Sequence, residues 1–246
     1  MDTESPGWRR SHPLVFVDDL SAPMLDEGDF RHLTRSLRLE IGADITIADG
    51  AGRWCAARLA LRPEPAGDVV VTGPQEFPIV VAFTPVKGQK VEWILQKLTE
   101  IGVQRMVPLI ADRSVVRWDG ERRDKLTERW PRVVREAAMQ SRQVHLPIVD
   151  SPTSVADHLS QWPEAVLADP DGEPIGHGTR HLLIGPEGGW SNKERQLARA
   201  VSLPGGVLRA ETACVVGAAM LAALREGYRK TSHRSHSVVD AALGDV

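Results

Sequence analysis

The sequence predicts an α/β protein in two parts, a small all-β block followed by a parallel sheet with helices. Two observations lead there. Short apolar runs separated by turn residues, with no long helical pattern, fill the chain up to about Glu76. From Ile79 onward, strand-like and helix-like segments alternate, the pattern of a parallel sheet.

Taken in order, Leu14 to Val17 is an apolar run suited to a buried strand. Ile45 to Ala48 and Arg53 to Leu59 flank Asp49-Gly50-Ala51-Gly52, so they read as a hairpin. Val69 to Thr72 closes the block and Gly73-Pro74 marks its end, giving a first domain over residues 1–76 and a second over 77–229. In the second, Val91, Leu95, Leu98 and Ile101 recur at helical spacing and Gly102 stops the run. Met106 to Ile110 reads as the next strand. Leu126, Trp130, Val133 and Ala137 form the stripe of another helix, interrupted or kinked near Pro131. Ala165 to Ala168 and Leu182 to Ile184 are two further strands. Ser191 with Glu194 fits a capping box opening a helix that should run to about Val201, and Cys214 to Leu224 is a small-residue helix. Residues 230–246 carry few apolar side chains and are expected to be disordered.

Composition narrows the function classes. The chain has 246 residues, enough for one large or two modest domains, and a net charge of -3, which argues against indiscriminate nucleic-acid binding. Its two cysteines, Cys55 and Cys214, have no partners at metal-ligand spacing, so neither a disulfide framework nor a metal site is expected. No apolar run approaches the roughly 20 residues of a membrane span, and MDTESPGWRR lacks the apolar core of a signal peptide. A soluble, cytoplasmic protein with no membrane partner is expected.

Charge is unevenly distributed. Residues 1–77 carry 8 basic and 13 acidic groups, residues 78–150 carry 13 and 9, and residues 151–246 carry 9 and 11. Arg122, Arg123, Lys125, Arg129, Arg132, Arg135 and Arg142 share one helical region that would suit a phosphate backbone. The alternative is a solvated helix face laced with Glu121, Glu128 and Glu136.

The most informative stretch is His181 to Trp190, HLLIGPEGGW, followed closely by Val207 to Ala213, VLRAETA. An apolar strand stops at a glycine cluster that lets a ligand touch main chain, and a helix follows. Neither G-x-G-x-x-G nor G-x-x-x-x-G-K-[ST] is present, and Glu187 would repel a phosphate, so a neutral or cationic ligand suits the loop better than a triphosphate.

IGPEGGWSNKE and VLRAETA, with KVEWILQKLTEIGV (Lys90 to Val103) and REAAMQS (Arg135 to Ser141), resemble the RsmE family of ribosomal RNA (uridine N3) methyltransferases. The resemblance runs from about Arg31 to about Leu224. It implies a SPOUT trefoil-knot methyltransferase domain binding S-adenosylmethionine, preceded by a PUA-like RNA-binding β-barrel. It further implies a small-subunit ribosomal RNA or 30S substrate and a homodimer formed through the knotted domain.

The resemblance also implies a set of site residues. Arg209 and Glu211 are the catalytic candidates: the arginine to stabilise a developing uracil anion, the glutamate to accept a hydrogen bond from the base or help remove its proton. A mutual salt bridge between them that only shapes the loop is the alternative. Gly185, Gly188 and Gly189 should present backbone to the cofactor, Leu183, Ile184 and Leu208 should wall its adenine, and Glu187, Thr212 and the loop from Leu167 to Pro170 should complete the pocket. Arg35 and Arg38, in the segment resembling the family's N-terminal signature, join Arg122, Arg123, Arg132, Gln140 and Arg142 as RNA-contact candidates.

Two departures stand out: Gln143 and Gly206 occupy positions where the family often carries arginine. Two other functions remain open at this point, an RNA-binding ribosome-assembly factor without catalysis and a SPOUT enzyme methylating a ribose 2′-oxygen.

Overall fold

The structure is a computed structural model that describes residues 6–86, 90–114 and 120–242, with backbone alone for 6, 120–127 and 228–242. Arg122 and Arg123 therefore have described backbone in a helix, while their side chains lie outside the described residues. In chain order the elements begin with α1 (Pro6–Ser11), β1 (Leu14–Phe16), α2 (Glu27–Arg31), β2 (Asp44–Ala48), β3 (Arg53–Arg58), β4 (Glu64–Pro65) and β5 (Val70–Val71). Next come β6 (Val80–Phe83), α3 (Lys90–Ile101), β7 (Arg105–Ile110), α4 (Gly120–Gln140), β8 (Ile148–Val149) and β9 (Thr153–Ser154). The last are α5 (Val155–Gln161), β10 (Val166–Pro174), β11 (His181–Ile184), α6 (Asn192–Arg195), β12 (Ala200–Ser202) and α7 (Ala210–Ala242).

The chain forms two compact units, Met1–Glu76 with Arg132–Pro147, and Phe77–Pro131 with Ile148–Val246. The first contains a five-stranded sheet in which β1 runs parallel to β2, and β3 pairs antiparallel with β2, β4 and β5. The expected hairpin is present, closed by Asp49, whose carboxylate accepts from the Ala51 and Arg53 N–H groups. Ile45, Ile47 and Trp54 are buried in its core with Leu14, Val15 and Leu59.

The same core contains Ala138, Met139 and Val144, so residues 132–147 belong to this unit and not to a contiguous second domain. The segment is tied to the hairpin turn: Leu146 N–H donates to the Gly50 carbonyl at 2.8 Å and Gly52 N–H to that of Val144 at 3.0 Å. A Cβ at Gly52 would lie 2.4 Å from His145 Cε1, and its φ is +103°, so glycine is required there. The division falls at Pro131, inside α4, where the ring removes a backbone donor. Past it, Val134 and not Val133 is buried, so the apolar stripe resumes one position later than the sequence suggests.

The second unit is a seven-stranded, wholly parallel sheet ordered β12-β10-β11-β6-β7-β8, with β9 also on β7. All four residues of β6 and of β11 are buried, as strands covered on both faces must be. Val91, Ile94, Leu95 and Leu98 give α3 its buried stripe, and Gly102 at φ +88° ends it. Gly217 lets α7 lie close on the sheet, since a Cβ there would come 2.5 Å from Leu182 Cδ2.

Two expectations differ from the structure. The helix opened by Ser191 lasts one turn and the chain enters β12 at Ala200, because Val201 is buried by pairing beside Ala168 while Leu197 stays exposed. The region expected to be disordered from residue 230 is helical through Ala242, continuing a helix whose packed first turns have already met the cost of nucleation; residues 243–246 lie outside the described ones. Among the described residues, no helix is long and apolar enough to cross a membrane.

Candidate functional site

Parallel strands leave a crevice beyond their carboxyl ends, and in the second unit a cavity of about 360 Å³ opens there, at β10 and β11. Its walls are Ala168 to Pro170 after the first residues of β10, Ile184 to Glu187 with Gly189 and Trp190 after β11, the loop residues Leu203 and Gly205 to Leu208, and Ala210 and Ala213 of α7. The volume lies within the range of small-molecule sites.

Trp190 organises this pocket. Its indole edge occupies the space a Cβ on Gly185 would need, 2.8 Å from Cε2, and its Nε1 donates to the Ala168 carbonyl at 2.9 Å. The glycine loop is thereby pinned to the neighbouring strand. Gly189 adopts φ +69°, closing the turn in which its N–H donates to the Pro186 carbonyl at 2.8 Å. The capping box is formed: Ser191 Oγ accepts from Glu194 N–H, and the Glu194 carboxylate accepts from Ser191 N–H.

The polar lining is mainly acidic. Glu187 is exposed at the pocket, while Asp169 is buried and paired with Arg195 at 3.1 Å, with Asp171 3.6 Å from the same guanidinium. Apolar walls with two carboxylates and one cation suit an uncharged ring joined to a cationic or zwitterionic group, and suit a polyphosphate poorly. S-adenosylmethionine, with its adenine, sulfonium and amino acid head, matches that chemistry.

Of the expected cofactor residues, Ile184, Gly185, Glu187, Gly189 and Leu208 line the cavity. Leu167 and Leu183 instead lie in the core beneath it, because they point into the cluster formed with Val80 and Val107. Gly188 turns its carbonyl to Arg113 Nη1 at 3.0 Å, and Thr212 is exposed on the first turn of α7, outside the lining. Ala168, Asp169 and Pro170, within the loop expected to complete the pocket, line it, while Trp190, Arg195 and the pairing of Asp169 were not read from sequence. The bulk of Trp190 beside a glycine was a usable signal; the Asp169–Arg195 pair had none.

Arg209 is exposed just before α7, and Glu211 lies in its first turn. They do not line the cavity, and Glu211 pairs with Lys90 at 2.8 Å and not with Arg209. The Lys90 hydrogen bond holds the Glu211 carboxyl below its usual range, with Lys90 and Arg209 charge contributing. Glu211 Oε2 is buried and has no hydrogen-bond partner among the described residues.

The arginines of the basic helix are more engaged with acidic partners than the sequence suggests. Arg135 binds Asp29, Arg129 binds Glu92 and Arg132 binds Glu136. Arg142 sits at φ +60° past the end of α4, half-buried, with Nη1 3.3 Å from the Met139 carbonyl, which makes it a helix-terminating residue more than an outward cation. Gln143 is drawn into the same helix end through its N–H bond to Ala138 O. Arg35, Arg38 and Gln140 are exposed in the first unit.

Comparison with known proteins agrees with this architecture. An RNA methyltransferase domain model matches residues 73–222, and an RNA methyltransferase PUA domain model matches residues 25–62. The ribosomal RNA small subunit methyltransferase E of Synechocystis sp. is 30% identical over 225 residues, 82% of this chain and 73% of that one. Its counterpart from Mycobacterium bovis is 29% identical over 261 residues, covering 95% and 97%. Among solved structures, the ribosomal RNA small subunit methyltransferase E of Neisseria gonorrhoeae, bound to S-adenosyl methionine, aligns with TM-score 0.71 and 27% identity over 85% of this chain and 96% of that one. With a PUA-type first unit, a SPOUT methyltransferase second unit and a pocket at the glycine loop, the chain belongs to the ribosomal RNA small subunit methyltransferase E family.

Proposed function

We propose that this protein transfers the methyl group of S-adenosylmethionine to N3 of a uridine in small-subunit ribosomal RNA, acting in the cytoplasm as a homodimer on the assembled 30S subunit. The observation that carries the reading is the cavity at β10 and β11, whose apolar walls and Glu187 carboxylate fit the cofactor's rings and positive charge. The cofactor supplies an electrophilic methyl group on a sulfonium.

The chain's own residues do the rest. Ile184, Leu203 and Leu208 exclude water from the ring-binding wall, and Glu187, exposed at the pocket, favours a positive charge nearby. In this reading Arg209, exposed at the positive N-terminal end of α7, stabilises negative charge developing on a uracil oxygen as N3 loses its proton. Glu211, kept ionised by Lys90, serves better as a hydrogen-bond acceptor orienting the base than as the group that keeps the proton. Along α7, Val215, Val216, Ala219, Met220 and Ala223 are at least partly exposed, an apolar outer face suited to a second copy.

The test incubates the protein with labelled S-adenosylmethionine and 30S subunits lacking the modification, then identifies the methylated nucleoside, with Arg209→Ala in parallel. Label in 3-methyluridine, reduced roughly 10²-fold or more in the variant, is the expected result. No label in any nucleoside despite cofactor binding would replace this reading with a non-catalytic assembly factor, and label on a ribose oxygen would move the acceptor atom.

A further inference from the structure

The loop after β7 grips the pocket loop from outside. Arg113 Nη1 donates to the Gly188 carbonyl at 3.0 Å, and Gly188 has Arg113 Cβ 3.5 Å from where its own Cβ would stand. Asp112 engages the same loop three residues further on: its Oδ2 accepts from Ser191 Oγ at 2.6 Å. Its backbone N–H donates to Glu194 Oε1 at 2.9 Å. The other Glu194 oxygen accepts from Ser191 N–H at 2.8 Å, so a carboxylate that is 4% exposed has both oxygens satisfied and joins the two loops. Ser114 Oγ in turn accepts from Ala111 N–H, which shapes the gripping loop itself.

The two grips bracket Gly189 and Trp190, which line the cavity. A glycine turn free at both ends would sample many conformations, and a ligand would have to order it on binding. With Gly188 held by Arg113 and Ser191 held by Asp112, that ordering is done beforehand. From this arrangement we infer that Asp112 and Arg113 are positioning residues for the cofactor, preorganising the 186–191 loop without touching the ligand. The inference rests on the proposed S-adenosylmethionine pocket.

Calorimetric titration with S-adenosylmethionine tests it, together with KM and kcat for methyl transfer to 30S subunits and thermal melting as a folding control. Arg113→Ala and Asp112→Ala should each weaken cofactor binding about tenfold and raise KM for the cofactor. The kcat at saturating cofactor should change much less, and the melting temperature should stay within about 2 °C. Arg113→Lys, which retains one donor for the Gly188 carbonyl, should recover part of the affinity. Leu208→Asp, which places a charge on the apolar wall, separates the two ideas. If it abolishes binding while the Asp112 and Arg113 variants bind like wild type, the pocket stands and the positioning role is overturned. Loss of affinity that follows the melting temperature with no rescue by lysine also overturns it. A folded wild-type protein that binds no S-adenosylmethionine overturns both.

Discussion

Lys90 Nζ lies 2.8 Å from Glu211 Oε1, joining the first residue of α3 to the first turn of α7. The pair forms across 121 positions of sequence and leaves Arg209 free of the partner that its spacing from Glu211 suggested. Because the Lys90 hydrogen bond is the largest cause of the lowered Glu211 pKa, its removal must return the carboxyl toward its ordinary value. In Lys90→Met the acid limb of the pH–rate profile should therefore move to higher pH. Activity at neutral pH should change little, because a carboxyl at its ordinary value is still ionised there, and far less than in Arg209→Ala. A profile identical to wild type would separate Glu211 ionisation from the reaction.

Gly185 and Trp190 make a second test of the pocket. Gly185→Ala inserts a methyl group 2.8 Å from the indole and must displace it from the Ala168 carbonyl. Overpacking of this kind costs about 1–3 kcal/mol, and calorimetry should show weaker S-adenosylmethionine binding. Gly176→Ala is the control, since it lies outside the cavity lining and, among the described residues, no heavy atom lies within 4 Å of its added Cβ. Equal behaviour of the two variants would remove Trp190 from the account of the site.

These contacts show where the sequence could be read and where it could not. The stripe of α3 ending at Gly102, the hairpin at Asp49 to Gly52 and the Ser191–Glu194 capping box were legible because each is encoded within a few residues by periodicity, φ > 0 or a short-range hydrogen bond. The glycine loop was legible for the same reason. Partners set by chain closure were not: Asp112 with Glu194 spans 82 positions, and Arg135 with Asp29 spans 106. The division of α4 at Pro131 was hidden because the helical pattern continues across it while the second half packs into the first unit's core.

Arg135 was counted among the phosphate-facing arginines, yet it is a structural residue of the first unit. Its Nη1 and Nη2 bind the two Asp29 oxygens at 3.0 and 2.6 Å, and Nη2 also donates to the Phe16 carbonyl at 3.0 Å. The Asp29 side chain is 10% exposed, so removing the guanidinium strands a nearly buried carboxylate. Arg135→Met should cost about 3 kcal/mol in urea unfolding. Arg135→Lys should recover little, because an ammonium cannot reproduce the two-pronged contact. Unfolding within about 0.5 kcal/mol of wild type in both would return Arg135 to the candidate RNA surface.

His158 and His181 share one hydrogen bond, Nε2 to Nε2 at 2.7 Å, with both residues 3% exposed. One ring donates and the other accepts, so at least one of the two must stay neutral and a doubly protonated pair cannot keep the bond. Burial pushes both pKa values down, His181 to about 3, with His158 and Arg105 adding to the effect on His181 while Asp150 and Glu164 oppose it at His158. In the unfolded chain these rings take up protons near 6.5, so below that pH the unfolded state binds more protons than the folded one. Stability should accordingly be full above about pH 6.5 and fall as the pH drops toward 3, by at most about 1.4 kcal/mol per pH unit for each histidine. Urea unfolding at pH 7, 6 and 5 measures the slope. The double variant His158→Gln, His181→Asn should be less stable at pH 7 but flatter between pH 7 and 5; an unchanged slope would place the acid sensitivity elsewhere in the fold.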